Sequence, residues 1–161
     1  MGVESLPIDA HLPAIRAALD ARGAAVVVAE PGAGKTSRVP PLVLDSVAGT
    51  VLVLEPRRMA ARLAARRCAT ERGQSVGDEV GYRVRFENRT SKATRLIFVT
   101  EGVFVRRLVD DPELRGVDAV IFDEVHERHL DTDIALAMVQ RLRKRLQKEL
   151  CHHEGVRSQQ W

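Results

Sequence analysis

Two short stretches combine residue types that could do phosphate chemistry. Residues 29–37 read A-E-P-G-A-G-K-T-S and follow the apolar run A-A-V-V-V, and residues 119–126 read A-V-I-F-D-E-V-H. In the first, Gly32 and Gly34 let the backbone turn tightly and bring several N–H groups to one point. A helix expected to begin near Lys35 aims the positive end of its dipole at the same point. Such a loop is built to hold phosphate, which makes Ala29, Glu30, Pro31, Gly32, Ala33, Gly34, Lys35, Thr36 and Ser37 the candidate nucleotide-binding residues. Lys35 supplies a mobile cation for the β- and γ-phosphates, and the Thr36 hydroxyl is placed to ligate Mg²⁺. The general pattern begins with a glycine, and Ala29 stands there instead. The plainer reading is a glycine-rich strand–helix turn whose lysine is merely solvated.

A nucleotide site of this kind needs an acidic pair at the end of another buried strand. Asp123 is suited to hold Mg²⁺ through water, and Glu124 to activate an attacking water. The plainer alternative is that the two acids cap the next helix. Beside a phosphate loop, that alternative loses most of its weight. The candidate metal ligands are thus Thr36, Asp123 and Glu124, and the candidate catalytic residues Lys35, Asp123 and Glu124.

The elements that would carry these residues follow from periodicity. Apolar runs at 24–28, 51–54, 96–99 and 119–122 lack polar alternation, as expected of strands buried on both faces. Helical patterns lie between them at about 9–22, 35–46, 57–72, 101–109 and 132–150. Repeated strand–helix units predict an α/β fold, a parallel sheet covered by helices on both sides. Residues 78–86 (D-E-V-G-Y-R-V-R-F) alternate and read as a further, more exposed strand, on which Tyr82 and Phe86 would share one face and pack as core.

Composition sets the frame. The 161 residues, 45% hydrophobic and 29% charged, suit one domain with a hydrophobic core. No run is long enough to span a membrane, and the N-terminus lacks a basic region followed by an apolar one, so a cytoplasmic protein is the simplest expectation. Cys68 and Cys151 form no CxxC pair, and Cys151, His152 and His153 lack a fourth ligand for zinc. A net charge of +3 means that an anionic partner must be met by local clusters of arginine.

Several motifs in order resemble DEAH-type superfamily-two RNA helicases, most nearly the bacterial HrpB-like branch. D-E-V-H at 123–126, followed by Glu127 and Arg128, resembles motif II, with Val125 in place of the usual alanine. L-E-P-R-R-M-A-A at 54–61 looks like motif Ia, V-G-Y-R-V-R-F-E at 80–87 like the family's VGYxxRFE segment, and Thr100-Glu101-Gly102 like motif Ib. The resemblance spans about residues 8 to 143 and implies a RecA-like P-loop domain that uses ATP and Mg²⁺. It implies that Arg57, Arg58, Thr100, Glu101 and Gly102 meet the backbone of single-stranded nucleic acid, RNA in this family. It also implies that His126 couples the γ-phosphate to movement between two helicase domains, and that Arg66 or Arg67 stacks on adenine. Otherwise Arg62, Arg66 and Arg67 read as a solvated helix face.

The resemblance ends near the C-terminus. Ile134, Met138, Leu142, Leu146 and Leu150 form a stripe expected to be apolar and inward-facing, but no S-A-T strand (motif III) follows. In RecA-like folds that strand lies between the phosphate-loop strand and the DE strand, so a gap in the sheet is expected. The expected organisation is an incomplete N-terminal RecA-like ATP-binding domain over 1–150 and an irregular tail over 151–161, the second RecA-like domain with its arginine finger being absent. The remaining alternatives are a nucleotide-dependent RNA-binding module without catalysis, or another P-loop NTPase such as a kinase-like enzyme.

Overall fold

A computed structural model describes residues 5–125 and 129–157, with side chains in the last helix described as far as residue 146. Five strands form one sheet: β1 (Thr50–Glu55), β2 (Val80–Val84), β3 (Glu87–Arg89), β4 (Leu96–Thr100) and β5 (Val117–Phe122). Their order is β3-β2-β4-β1-β5, parallel throughout except for the β2–β3 hairpin. The helices are α1 (Leu12–Arg22), α2 (Lys35–Leu44), α3 (Arg58–Glu71), α4 (Glu101–Asp110) and α5 (Leu130–Arg157), with a 3-10 turn at Pro7–His11 before them.

Strand pleating explains why the central runs are apolar without interruption. Val51 and Val53 of β1, with Leu96 and Phe98 of β4, face the core shared with α2 and α3, where Val39, Val43, Ala61, Ala65 and Cys68 are buried. Leu52, Leu54, Ile97 and Val99 point the other way, toward Phe104 and Leu108 of α4 and Ala135 of α5. Both faces of β1 and β4 are therefore covered, as a parallel sheet requires. Removing a fully buried side chain here, for example Phe98→Ala, would cost about 3–5 kcal/mol.

Several expectations are corrected. Residues 24–28 form no strand, and Val26 and Val28 are 92% and 91% exposed. An apolar run becomes a strand only where another backbone offers N–H and C=O groups to pair with. Among the described residues, β5 pairs on one edge only, with β1, and 24–28 pairs with nothing.

Phe86 does not share the buried face of Tyr82. Strand β2 stops at Val84, and Phe86 sits in the hairpin turn with φ 66° and 89% exposure, the Arg85 guanidinium 4.8 Å from its ring centre. Tyr82 is buried as expected, but so are Val80, Gly81 and Val84, and β2 is not the more exposed strand it was expected to be.

The expected helix forms, but its apolar stripe is only partly packed, and the side chain of Leu150 lies outside the described residues. Ala135, Met138, Val139 and Leu142 pack on the sheet, whereas Ile134 and Leu146 are exposed. Four residues turn a helix by about 400°, so a row spaced by four winds around the axis and leaves the packed face. The same helix runs on to Arg157, past the point where an irregular tail was expected.

Candidate nucleotide and nucleic-acid site

In a parallel sheet all strand ends of one polarity emerge at one edge, and binding residues collect there. Thr100 ends β4, Glu55 ends β1 with Pro56 and Arg57 following, and Asp123 follows β5. Glu55 lies in register with Thr100, and the Asp123 N–H donates to the Leu54 carbonyl at 3.1 Å. These neighbours put the candidate nucleic-acid residues and the candidate nucleotide residues on the same edge.

The loop before α2 arrives from the side. Gly32 and Gly34 both have positive φ, 79° and 96°, and Gly34 is the N-cap of α2. Close packing adds to the demand for glycine at position 34, because a Cβ there would lie 2.6 Å from Leu6 Cδ1. The Ile8 N–H donates to the Ala33 carbonyl at 3.0 Å, so the N-terminal turn braces the loop. Lys35 Nζ reaches back to the carbonyls of Ala29 (2.6 Å) and Glu30 (3.1 Å), and Ser37 Oγ donates to the Gly34 carbonyl at 3.2 Å. Ser37 is buried and serves the loop's own geometry.

Thr36 bridges the two stretches. Its hydroxyl donates to Asp123 Oδ2 at 2.5 Å, across 87 positions of sequence. Asp123 Oδ1 accepts the Glu124 N–H at 2.9 Å, and Glu124 is held at φ 50°, an uncommon conformation for a side-chain-bearing residue. Thr36, Asp123 and Glu124 line one cleft of about 470 Å³ together with Glu55, Pro56, Arg57, Ala60, Leu63, Ala64 and Arg67. Glu55 is only 2% exposed. Burial, then the charges of Asp123 and Glu124, push its carboxyl up to about 8.

The donor set fits Mg²⁺. It consists of hard oxygens, a hydroxyl and carboxylates. Among the described residues no three His, Cys, Asp or Glu side chains group tightly enough to cage a metal alone. A magnesium site commonly uses one or two carboxylates and takes its other ligands from phosphates and water.

No protein-family model matches the chain. It is 43% identical over 150 residues to "ATP-dependent RNA helicase HrpB" of Escherichia coli, an alignment covering 92% of this chain and 18% of that protein. It is 36% identical over 144 residues to "Probable ATP-dependent RNA helicase DHR2" of Saccharomyces cerevisiae, covering 86% of this chain and 20% of the relative. Two solved structures of E. coli HrpB superpose with TM-scores of 0.83 and 0.84 at 44% identity, covering 87% and 89% of this chain and 18% of each of those chains. The chain is homologous to part of the DExH-type RNA helicases. It spans about a fifth of the length of these relatives.

Against the helicase motifs the remaining residues fall into place unevenly. Arg57 and Arg58 are exposed at the end of β1, and Gly102 is exposed at the start of α4. Glu101 turns inward: its carboxylate accepts the Thr132 hydroxyl and lies 3.2 Å from His129 Nδ1, which ties α4 to α5. Arg62 is paired with Glu87, which also accepts the Tyr82 hydroxyl, and Arg67 pairs with Glu71 at 3.0 Å. His126, Glu127 and Arg128 lie outside the described residues, as do the side chains of Cys151, His152 and His153.

The sequence alone assigns no role to His129 or Thr132, and Glu55 enters only as part of the L-E-P-R-R stretch. For Glu55 a signal was present, an acid closing the apolar run V-L-V-L and preceding a proline. Among the described residues no helix is long and apolar enough to cross a membrane.

Proposed function

We propose that this chain forms the ATP-binding part of an RNA helicase of the DEAH type, working with Mg²⁺ at the cleft between the Gly32–Thr36 loop and Asp123. The observation that carries this reading is the Thr36–Asp123 bridge, which joins the phosphate loop to the acidic pair. The loop's backbone N–H groups and Lys35 would bind the phosphates, Lys35 exchanging its Ala29 and Glu30 carbonyl partners for phosphate oxygens. Thr36 and Asp123 would hold Mg²⁺, which when bound offsets the charge of the β- and γ-phosphates. Water attacks the γ-phosphorus, its proton passes to Glu124, and the bond to the ADP oxygen breaks. His126 would sense the γ-phosphate.

Arg57, Arg58, Thr100 and Gly102 would grip single-stranded RNA through its backbone. Arg57 follows β1 directly and also lines the nucleotide cleft, which favours coupling between the two ligands. In the longer protein, a second RecA-like domain would complete the cleft with an arginine finger, and the reading includes a cytoplasmic location. A nucleotide-dependent RNA-binding module without turnover is the second reading.

The test pairs binding with turnover. Lys35→Ala should weaken nucleotide binding, and Glu124→Gln should leave it largely intact while abolishing hydrolysis in a complete helicase. Arg57→Ala with Arg58→Ala should lower single-strand affinity equally for all sequences and flatten its salt dependence. Equal loss of nucleotide binding in the first two variants, or a sequence-selective loss in the third, would refute these roles.

A further inference from the structure

A second cleft lies on the sheet face opposite α2 and α3, and the helicase reading above assigns it nothing. Pleating turns Arg83 of β2 away from its buried neighbours Tyr82 and Val84, toward the face on which α4 packs. There it lines a cleft of about 290 Å³ with Arg106 and Arg107 of α4, over an apolar floor that includes Ile97, Val99 and Phe104. Arg107 is half-buried, and among the described residues neither it nor Arg83 has a side-chain hydrogen bond or an ion pair. Burial, then the charge of Arg83, hold the Arg107 guanidinium below its ordinary range, and Asp111 offsets this only in part. Two like charges over an apolar floor repel, and an anion placed between them turns that repulsion into attraction.

Location selects the anion. Arg83 is paired in register with Val99, the residue before Thr100, so the basic end of the cleft adjoins the strand ends where Thr100 and Gly102 are proposed to meet single-stranded RNA. Asp110 and Asp111 line the other end, at the last turn of α4. Acids there repel a polyanion, so the strand can place a phosphate at the basic end and cannot run on through the cleft. Guanidinium forks match phosphate oxygens in shape as well as in charge. We propose that Arg83 and Arg107 together bind one backbone phosphate of the single strand, adjoining the contacts at Thr100 and Gly102. Such a contact reads no base. This inference deepens the nucleic-acid part of the proposed function and rests on it.

The experiment follows binding of fluorescently labelled oligouridylate and oligoadenylate to the 161-residue chain over a series of salt concentrations. Each phosphate neutralised on a single strand contributes about 0.7 to the slope of log affinity against log salt. Arg83→Ala with Arg107→Ala should therefore flatten the slope by about 0.7 and weaken both oligonucleotides by the same factor. A flattening of about 1.4 would assign two separate phosphates and overturn the shared site. An unchanged slope, or a loss confined to one oligonucleotide, overturns the proposal as well. Arg83 is exposed, so Arg83→Ala alone keeps the test decisive should the double variant misfold. It should lower affinity at low salt with its urea midpoint unchanged, and undiminished affinity overturns the proposal. If the unaltered chain binds neither oligonucleotide, the nucleic-acid reading itself fails, and this inference with it.

Discussion

Substituting alanine at Gly34 and at Gly32 separates two costs that usually arrive together. Both residues have positive φ, 96° and 79°, so each alanine pays the left-handed penalty of about 1–2 kcal/mol. Only Gly34 is also crowded: a Cβ there would lie 2.6 Å from Leu6 Cδ1, 3.0 Å from Leu6 Cβ and 3.2 Å from Ile8 Cγ2, whereas nothing lies within 4 Å at Gly32. Overpacking of this kind adds about 1–3 kcal/mol. Gly32→Ala should therefore destabilise by about 1–2 kcal/mol and Gly34→Ala by about 2–5 kcal/mol. In urea denaturation of the nucleotide-free chain, the difference should separate the two midpoints by on the order of 1 M. Adding Leu6→Ala to Gly34→Ala should recover part of the loss, a coupling that distant sites would not show. Coincident midpoints for the two single variants, or no recovery in the double variant, would refute the idea that the N-terminal turn braces the loop.

Glu55→Gln should abolish a pH dependence of stability in metal-free buffer. A carboxyl whose value rises from 4.5 unfolded to about 8 folded stabilises the fold fully below pH 4.5 and loses that contribution as pH rises toward 8, at most about 5 kcal/mol in all; an unchanged pH profile in the variant would refute the assignment. Cys68 is fully buried, and burial pushes its thiol up from 9.0 to about 12, so at a given pH its thiolate is about a thousandfold scarcer than in the unfolded chain. In a Cys151→Ser background a thiol reagent at pH 8 should therefore label Cys68 only on unfolding, and labelling within minutes under native conditions would contradict this. Glu101→Ala should cost about 1–3 kcal/mol by stranding the buried Thr132 hydroxyl, with Glu101→Gln losing less; a loss below about 0.5 kcal/mol, read by the same urea assay, would count against the α4–α5 tie.

What the sequence disclosed depended on whether the signal was local. The tight turn at Gly32 and Gly34 was legible because a positive φ is a local demand that glycine meets. Asp123 and Glu124 stood out because they close an apolar run in a chain that also carries a phosphate-loop pattern. The central strands β1 and β4 were legible as apolar runs, since burial on both faces leaves no alternation. Facing relations across the sequence were not legible. That Glu101 turns toward Thr132, or that Glu55 lies against Asp123, follows from strand order and helix placement, which no spacing within one segment records. Phe86 was misread because alternation carries no mark of where a strand stops, and β2 stops two residues before it.

The run 24–28 shows the same limit at the level of the fold. Its valines are as apolar as those of β1, and they lead directly into the phosphate loop. Composition records that a segment gains by burial, but pairing needs a second backbone at the right distance. Strand β1 has β4 and β5 on its two sides, and its residues from Val51 to Glu55 are all buried. Among the described residues strand β5 has β1 alone, and its residues are only half-buried or exposed. Residues 24–28 have neither neighbour, and most of their surface meets water. The loop that follows is consequently held from its other side, by Ile8 on Ala33, by the packing of Leu6 against Gly34, and by Thr36 on Asp123. A loop braced from the helix side keeps Thr36 against Asp123 even though no paired strand precedes it among the described residues.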